Sequence, residues 1–447
     1  MVRWSSAQVE ALAPDAASVA AGRKLAVGSG WSGLGCTDQA LWGLCQGSGK
    51  TPYRAIVDLS GPAYSCSCPS RKFPCKHALG LLLRWSAGSV PDTAGPADFA
   101  QAWLATRAER AEQASAREQA RAQASTAREA DPEAAAKRAR ARVAKVTAGL
   151  TELERWLGDQ VRAGLAGLPA KGYAAFEPMA ARLVDAQAPG IAAWLRGLPA
   201  VVAGGGLWPQ RLLEELALLQ LLVHAHRRLD EFDLHAMEFA ATVRQHIGYP
   251  VAKESVLARP PVTDAWSVWA VRDSEAGNLQ QRTVWVQGRD SGRMAVVLSF
   301  AAAGQLLDAS LVAGTAFEGA LHFYPGSRPS RALVGEHAAP GRPAYPNAGL
   351  ATAACDAVAA TLAADPWARD TAVWVGGVPV RAAAGWVLAD EVGDTLPLRG
   401  VDAELWRLVA TCGGRRLPVL LDWSPLGWAP LTVAAPEGLV PLTGSVG

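Results

Sequence analysis

The sequence has no long hydrophobic run. Its most apolar stretch, LLEELALLQLLV (Leu212 to Val223), is interrupted by Glu214 and Glu215 and is too short to span a bilayer. The opening stretch MVRWSSAQVEALAPDAASVAAGRKL contains no apolar core of the kind a signal peptide needs. Both absences predict a cytoplasmic protein. Charge of one sign is also scarce. A formal net charge of +2 over 447 residues gives no general attraction to nucleic acid or to a membrane surface. Cysteine is sparse and odd in number, with seven in the whole chain, which excludes a disulfide scaffold. Half of the residues are hydrophobic, so the chain folds, and its length suits two or three domains.

Signatures of catalysis are missing as well. There is no G-x-S-x-G elbow and no H-E-x-x-H, and the acids are scattered without an evident catalytic pair. The segment GSGKT (Gly47 to Thr51) imitates part of a phosphate-binding loop, but Leu44 stands where that pattern needs its first glycine. Pro52 and a strand follow it, whereas a phosphate-binding loop must open a helix. It reads as a Gly-rich turn. These absences predict a protein that is not an enzyme.

One stretch stands apart from this sparseness. CSCPSRKFPCKH, Cys66 to His77, holds three of the seven cysteines and one of the seven histidines. Cys66, Cys68, Cys75 and His77 supply three thiolates and an imidazole, the donor set of a structural tetrahedral zinc site. In an extended strand Cys66 and Cys68 project to the same side. Cys75 and His77 fall where the chain enters a helix after Pro74. All four ligand positions come from protein, which leaves none for an activated water, so the site reads as structural rather than catalytic. Three thiolates and Zn²⁺ sum to −1, and Arg71, Lys72 and Lys76 offset that charge and favour thiolate. Cys36 and Cys45 read as buried thiols, Cys355 and Cys412 as core residues. His224 and His226 fall on different helix faces, and His235 and His246 have no evident partner.

Around this cluster the first ninety residues read as a compact module. Trp31, Trp42 and Tyr53 punctuate Gly-rich loops. YRAIVDL and AYSCSC are predicted strands joined by a turn at Gly61-Pro62, and HALGLLLRW is a predicted helix. Residues 91–146 turn to Ala, Arg, Glu and Gln, a helical linker without an apolar heptad and so without a coiled coil. Asp131-Pro132-Glu133 is a predicted helix start. Lys137 to Lys145 carries five basic residues and reads as a solvated helix face. A helical domain is predicted over 147–250 and a β-rich α+β domain over 251–447. WSVWAV, RTVWVQ, MAVVLSF, VLLDW and LTVAA are its strands, and Ala348 to Ala364 its helix. The fold class is α+β: a small strand-strand-helix zinc module, a helical middle and a β-rich C-terminal region.

The pattern C-x-C-x₆-C-x-H followed by HALGLLL resembles the SWIM zinc finger. The stretch LWGLCQGSGKTPYRAIVDLSGPAYSCSCPSRKFPCKH resembles the bacterial SWIM zinc finger family proteins over about Trp31 to Trp85. The resemblance implies a strand-strand-helix module holding one structural Zn²⁺ on Cys66, Cys68, Cys75 and His77. It also implies a role in binding DNA or another protein. Bacterial members often neighbour AAA+ ATPases and von Willebrand factor A-type proteins, which suggests a scaffold in such an assembly as the alternative. Charge supports the first idea. Between Arg23 and Arg84, eight basic residues face two acids, a local +6, so the remainder carries −4. Arg71, Lys72, Lys76 and Arg84 are the candidate contacts with nucleic acid or a protein partner.

Overall fold

The computed structural model describes residues 3–4, 6–13, 16–47, 49–59, 63–70, 72, 74–109, 132–204, 207–231, 236–276, 279–302, 307–308, 310–337, 341, 343–383 and 385–442. The α+β class and the order of the three regions are as the sequence predicts. No helix among the described residues is long and apolar enough to cross a membrane.

The N-terminal module is larger than strand-strand-helix. Helices α1 (Ser6–Ala11) and α2 (Ala16–Val27) precede a four-stranded antiparallel meander: β1 (Trp31–Cys36), β2 (Ala40–Cys45), β3 (Tyr53–Asp58) and β4 (Ala63–Cys66). Helix α3 (Lys76–Ser86) follows. The expected Gly-rich loops around Trp31 and Trp42 are in fact β1 and β2. The glycines persist in these strands because indole rings lie across them. A Cβ at Gly35 would meet the Trp42 ring at 2.6 Å, and one at Gly43 would come within 3.0 Å of Trp31 and 2.7 Å of Leu34. Glycine there signals close packing rather than a loop. Gly47, Gly49, Lys50 and Thr51 lie between the paired strands β2 and β3, not at a helix start.

Helix α3 is the centre of this module. Ala78, Leu79, Leu81, Leu82 and Trp85 are all essentially buried, since the helix lies between the sheet and α1/α2. A Cβ at Gly22 would sit 2.9 Å from that of Leu79, and one at Gly80 would sit 2.9 Å from that of Leu25. Those two glycines let α2 and α3 approach closely. Trp85 closes the core edge-on to Trp4, with centroids 5.8 Å apart.

Helix α4 covers residues 98–109. The Asp131 helix cap lies outside the described residues, but Pro132 does open helix α5 (Pro132–Ala163). The basic run Lys137 to Lys145 lies on its solvated surface. α5 continues unbroken past residue 146, so the boundary drawn there between linker and helical domain falls within one helix. After the single turn α6 (Leu168–Lys171), helices α7 (Glu177–Asp185), α8 (Pro189–Val202) and α9 (Trp208–Arg227) pack with α5 around Leu150, Leu153, Leu183, Ile191, Leu195, Leu212 and Leu219. These leucines recur at helical spacing and form the buried stripes of a bundle. α10 (Met237–Ile247) packs on α8 and α9.

After α11 (Lys253–Leu257), the C-terminal part has two β-structures. Strands β5 (Val262–Ala276), β6 (Leu279–Gly288), β7 (Met294–Ala302), β8 (Ala316–Phe323) and β9 (Arg331–His337) close a barrel in the order β5-β6-β7-β9-β8. Trp266, Val268, Val286, Phe317 and Leu321 fill it. Then come α12 (Ala351–Ala364), β10 (Thr371–Ala382), β11 (Gly385–Ala389), β12 (Thr395–Pro397), α13 (Asp402–Cys412), β13 (Leu417–Ser424), β14 (Gly427–Ala435) and β15 (Gly438–Pro441). Their strands form one antiparallel sheet, β12-β11-β10-β13-β14-β15. α12 and α13 cover one face of it, packing on Val375, Val419 and Val433. The barrel covers the other, with Trp269 and Trp285 against Trp374, Leu420 and Leu431. Cys412 is core as expected, but Cys355 is exposed on α12, because that helix turns only one face to the sheet.

Trp367 ties this region to the bundle. It is 1% exposed within the bundle core, and its Nε1 donates to the Leu218 carbonyl at 3.0 Å. Beside it Arg369 forms a two-bond pair with the buried Glu215, and His246 meets Asp365 at 2.9 Å. His246 therefore has a partner that its sequence neighbourhood did not disclose.

Candidate metal centre

The centre sits where β4 ends and α3 begins. β4 pairs with β3 so that Cys66 lies opposite Ala55, and Cys68 follows just beyond the strand. Cys75 is the residue at the N-cap of α3, in extended conformation, and His77 lies in the first helical turn. A helix start serves thiolate ligands well, because its free amides and dipole favour negative charge.

One ligand atom from each of Cys66, Cys68, Cys75 and His77 lies within 4.8 Å of all the others. His77 Nδ1 is 3.7 Å from Cys66 Sγ and 4.0 Å from Cys75 Sγ. A tetrahedral zinc ion, with Zn–S of about 2.3 Å and Zn–N of about 2.0–2.1 Å, separates sulfur from nitrogen by roughly 3.6 Å. The four residues therefore fit such an ion with little rearrangement. Cys75 and His77 are almost wholly buried, while Cys66 and Cys68 are half-buried.

Electrostatics point the same way. The Cys66 thiol, donating to Cys75, holds the Cys75 pKa down to about 4, with His77 and the amides of Ala78 and His77 assisting against burial. That same donation, together with burial, pushes Cys66 upward, and burial raises Cys68. Without a cation, the three sulfurs share protons so that one is anionic. A divalent ion lets all of them ionise, releasing protons as it binds. Tyr53, which the spacing argument missed, lies against His77 with ring centroids 4.9 Å apart and fixes that imidazole.

The predicted contact residues are dispersed in role. Lys72 and Lys76 are exposed beside the cluster. Arg71 lies outside the described residues. Arg84 is turned inward, donating from one nitrogen to the carbonyls of Ala26 and Gly28 at 2.8 and 3.0 Å, so it fastens α3 to the end of α2. Arg54 on β3 and Lys50 before it are also exposed and were not singled out from sequence. Cys36 and Cys45 are buried thiols, as expected. His226 stacks on Tyr249 and does not share a site with His224, which contacts Gln220.

Residues 56–86 match the SWIM zinc finger, and residues 141–247 match the SWIM-associated four-helix bundle domain. No curated protein and no solved structure matches the chain.

Proposed function

We propose that this chain, which carries a SWIM zinc finger followed by its associated four-helix bundle, acts by binding a macromolecule, with DNA as the first candidate and no catalysis of its own. The zinc-binding part rests on the Cys₃His cluster and is structural: one Zn²⁺, held by Cys66, Cys68, Cys75 and His77, cross-links β4 to α3. That cross-link orders the connection between them, and so the surface it presents. The observation that carries the binding proposal is the charge of this surface. Lys50, Arg54, Lys72 and Lys76 are all exposed, the first two at the β2–β3 hairpin and the last two within the ligand segment. Exposed cations on this module suit a phosphate backbone, whose contribution to affinity falls steeply with salt.

Retention of duplex DNA across a salt gradient tests this. Lys72→Glu combined with Lys76→Glu is expected to abolish retention while zinc content is unchanged. Full retention in that double variant sinks the DNA reading. A second reading, a protein scaffold of the kind that works with AAA+ ATPases or von Willebrand factor A-type proteins, has its own observation. α9 exposes Leu213 and Leu221, preceded by exposed Leu207, on the side away from the stripe Leu212, Leu216, Leu219 and Val223 that it buries in the bundle. Under this reading, partner capture survives the charge reversals and is lost when Leu213 and Leu221 are changed to Ser.

A further inference from the structure

The bundle, the barrel and the C-terminal sheet meet at one cleft of about 670 Å³. α10 supplies one side, the barrel supplies the ends of β6 and β7 with the 324–331 turn, and the sheet supplies β10 and β13. Its size and its place at a junction of three bodies are those of a small-molecule site.

The polar groups of its sheet wall are unusual. Asp422 lies on β13, an inner strand, and is only 7% exposed. Trp374 lies on β10 and is 5% exposed. The register pairs Ala372 with Asp422 and Trp374 with Leu420, so both side chains leave the same face, the one toward the barrel. Both line the cleft, and among the described residues neither Asp422 Oδ1 nor Trp374 Nε1 has a hydrogen-bond partner. A buried acceptor and a buried donor left unmade are each unfavourable. Leu420 and Leu431 cover the same face without that cost. Arg272 and Arg399 attract this carboxylate, but burial outweighs them and no hydrogen bond satisfies Oδ1, which points to a partner in the cleft.

Charge in the cleft is divided between the walls. Asp370, at the foot of β10 and open to the cleft, joins Asp422 on the sheet side. The barrel side carries Arg293, Arg328 and Arg331. Arg293 lies over the Phe323 ring at 3.5 Å and Arg331 over the Tyr324 ring at 4.3 Å, so aromatic rings rather than carboxylates hold them in place. Of the other charged groups in the cleft, Arg369 is paired with Glu215, and Asp365 is hydrogen-bonded to His246 Nε2.

We propose that this cleft binds a small zwitterion of the amino-acid type, its protonated amine against Asp422 and Asp370 and its carboxylate toward Arg293, Arg328 and Arg331, with Trp374 Nε1–H donating to an oxygen of the ligand. A free amino acid and a short peptide offer the same chemistry, and the volume admits either. The site is separate from the metal centre and does not depend on the binding role proposed for it.

Calorimetry and ligand-observed NMR on the full chain test the proposal with L-lysine, L-arginine, glycine and triglycine as probes. Cadaverine, lacking the carboxylate, and hexanoate, lacking the amine, serve as controls. At least one zwitterion is expected to bind saturably with Kd of about 1 mM or tighter, and each control at least about tenfold more weakly. Preference for triglycine over the single amino acids assigns the site to a peptide, and the reverse order to a free amino acid. Asp422→Asn removes only the charge, whereas Trp374→Phe removes the N–H together with part of a buried ring, so an unchanged fold is checked in that variant. Each is expected to weaken binding at least about tenfold with an unchanged circular dichroism spectrum. Absence of binding for all four probes at about 10 mM overturns the proposal. So does cadaverine binding as tightly as lysine, or binding unaltered in both variants.

Discussion

Replacing Asp422 by Asn is expected to stabilise the protein at neutral and alkaline pH and to do nothing at acid pH. Burial is the main cause that pushes the Asp422 carboxyl up from 3.8 to about 7. Asp370 adds to the shift, while Arg272 from β5 and Arg399 ahead of α13 oppose it. The folded chain thus holds a proton that the unfolded chain has already lost between about pH 4 and pH 7. Stability falls with rising pH wherever the folded state binds more protons, so the wild-type protein loses stability across that window. A shift of about three units corresponds to about 4 kcal/mol once pH is well above 7. Asn keeps the size and neutrality of the protonated acid, so the variant avoids that loss. Thermal melts of both proteins from pH 4 to pH 9, followed by near-ultraviolet circular dichroism, read the difference directly. The two melting temperatures should coincide near pH 4 and diverge by about 2–4 °C for each kcal/mol as pH rises. A difference that stays constant across the range, or that shrinks as pH rises, refutes the assignment of a carboxyl whose burial outweighs the charges around it.

Other consequences are equally direct. Cys75→Ser is expected to lose zinc, measured by elemental analysis of protein prepared reduced and without chelator. The wild type is expected to hold one zinc per chain, and an unchanged content in the variant removes Cys75 from the ligand set. In the same variant hydrogen exchange should accelerate through β1–β4 and α3 while the bundle and sheet stay protected, because metal binding there is coupled to local folding. Trp367→Ala removes a fully buried indole and its bond to the Leu218 carbonyl, and should cost about 3–5 kcal/mol in denaturant unfolding. A loss below 1 kcal/mol would mean that Trp367 does not join the bundle to the C-terminal region.

The metal centre was legible in the sequence because its information is local. Four ligands lie within a twelve-residue stretch, and the change from period two to helical period across Pro74 located them at a strand end and a helix start. The strands WSVWAV, RTVWVQ and VLLDW were legible for the same reason, since apolar runs bounded by turn residues identify themselves within a few positions. β1 and β2 were not. Gly33, Gly35 and Gly43 look like loop residues until the indoles of Trp42 and Trp31 are seen lying over two of them. Tyr53 against His77 and Arg84 turned onto the carbonyls of α2 were equally hidden, since each contact joins segments with no common pattern.

Sequence by itself thus determined the donor set of the zinc site, the helical character of the middle and the β character of the tail, all of which follow from residue type and short-range periodicity. Only the tertiary structure decided that five strands close into a barrel, that six more form a sheet packed between helices and that barrel, and that Trp367 enters the bundle. It alone set Asp422 and Trp374 side by side on one buried face. These arrangements depend on pairings between residues tens to hundreds of positions apart, and periodicity within a segment carries no record of which distant segment will cover its apolar side.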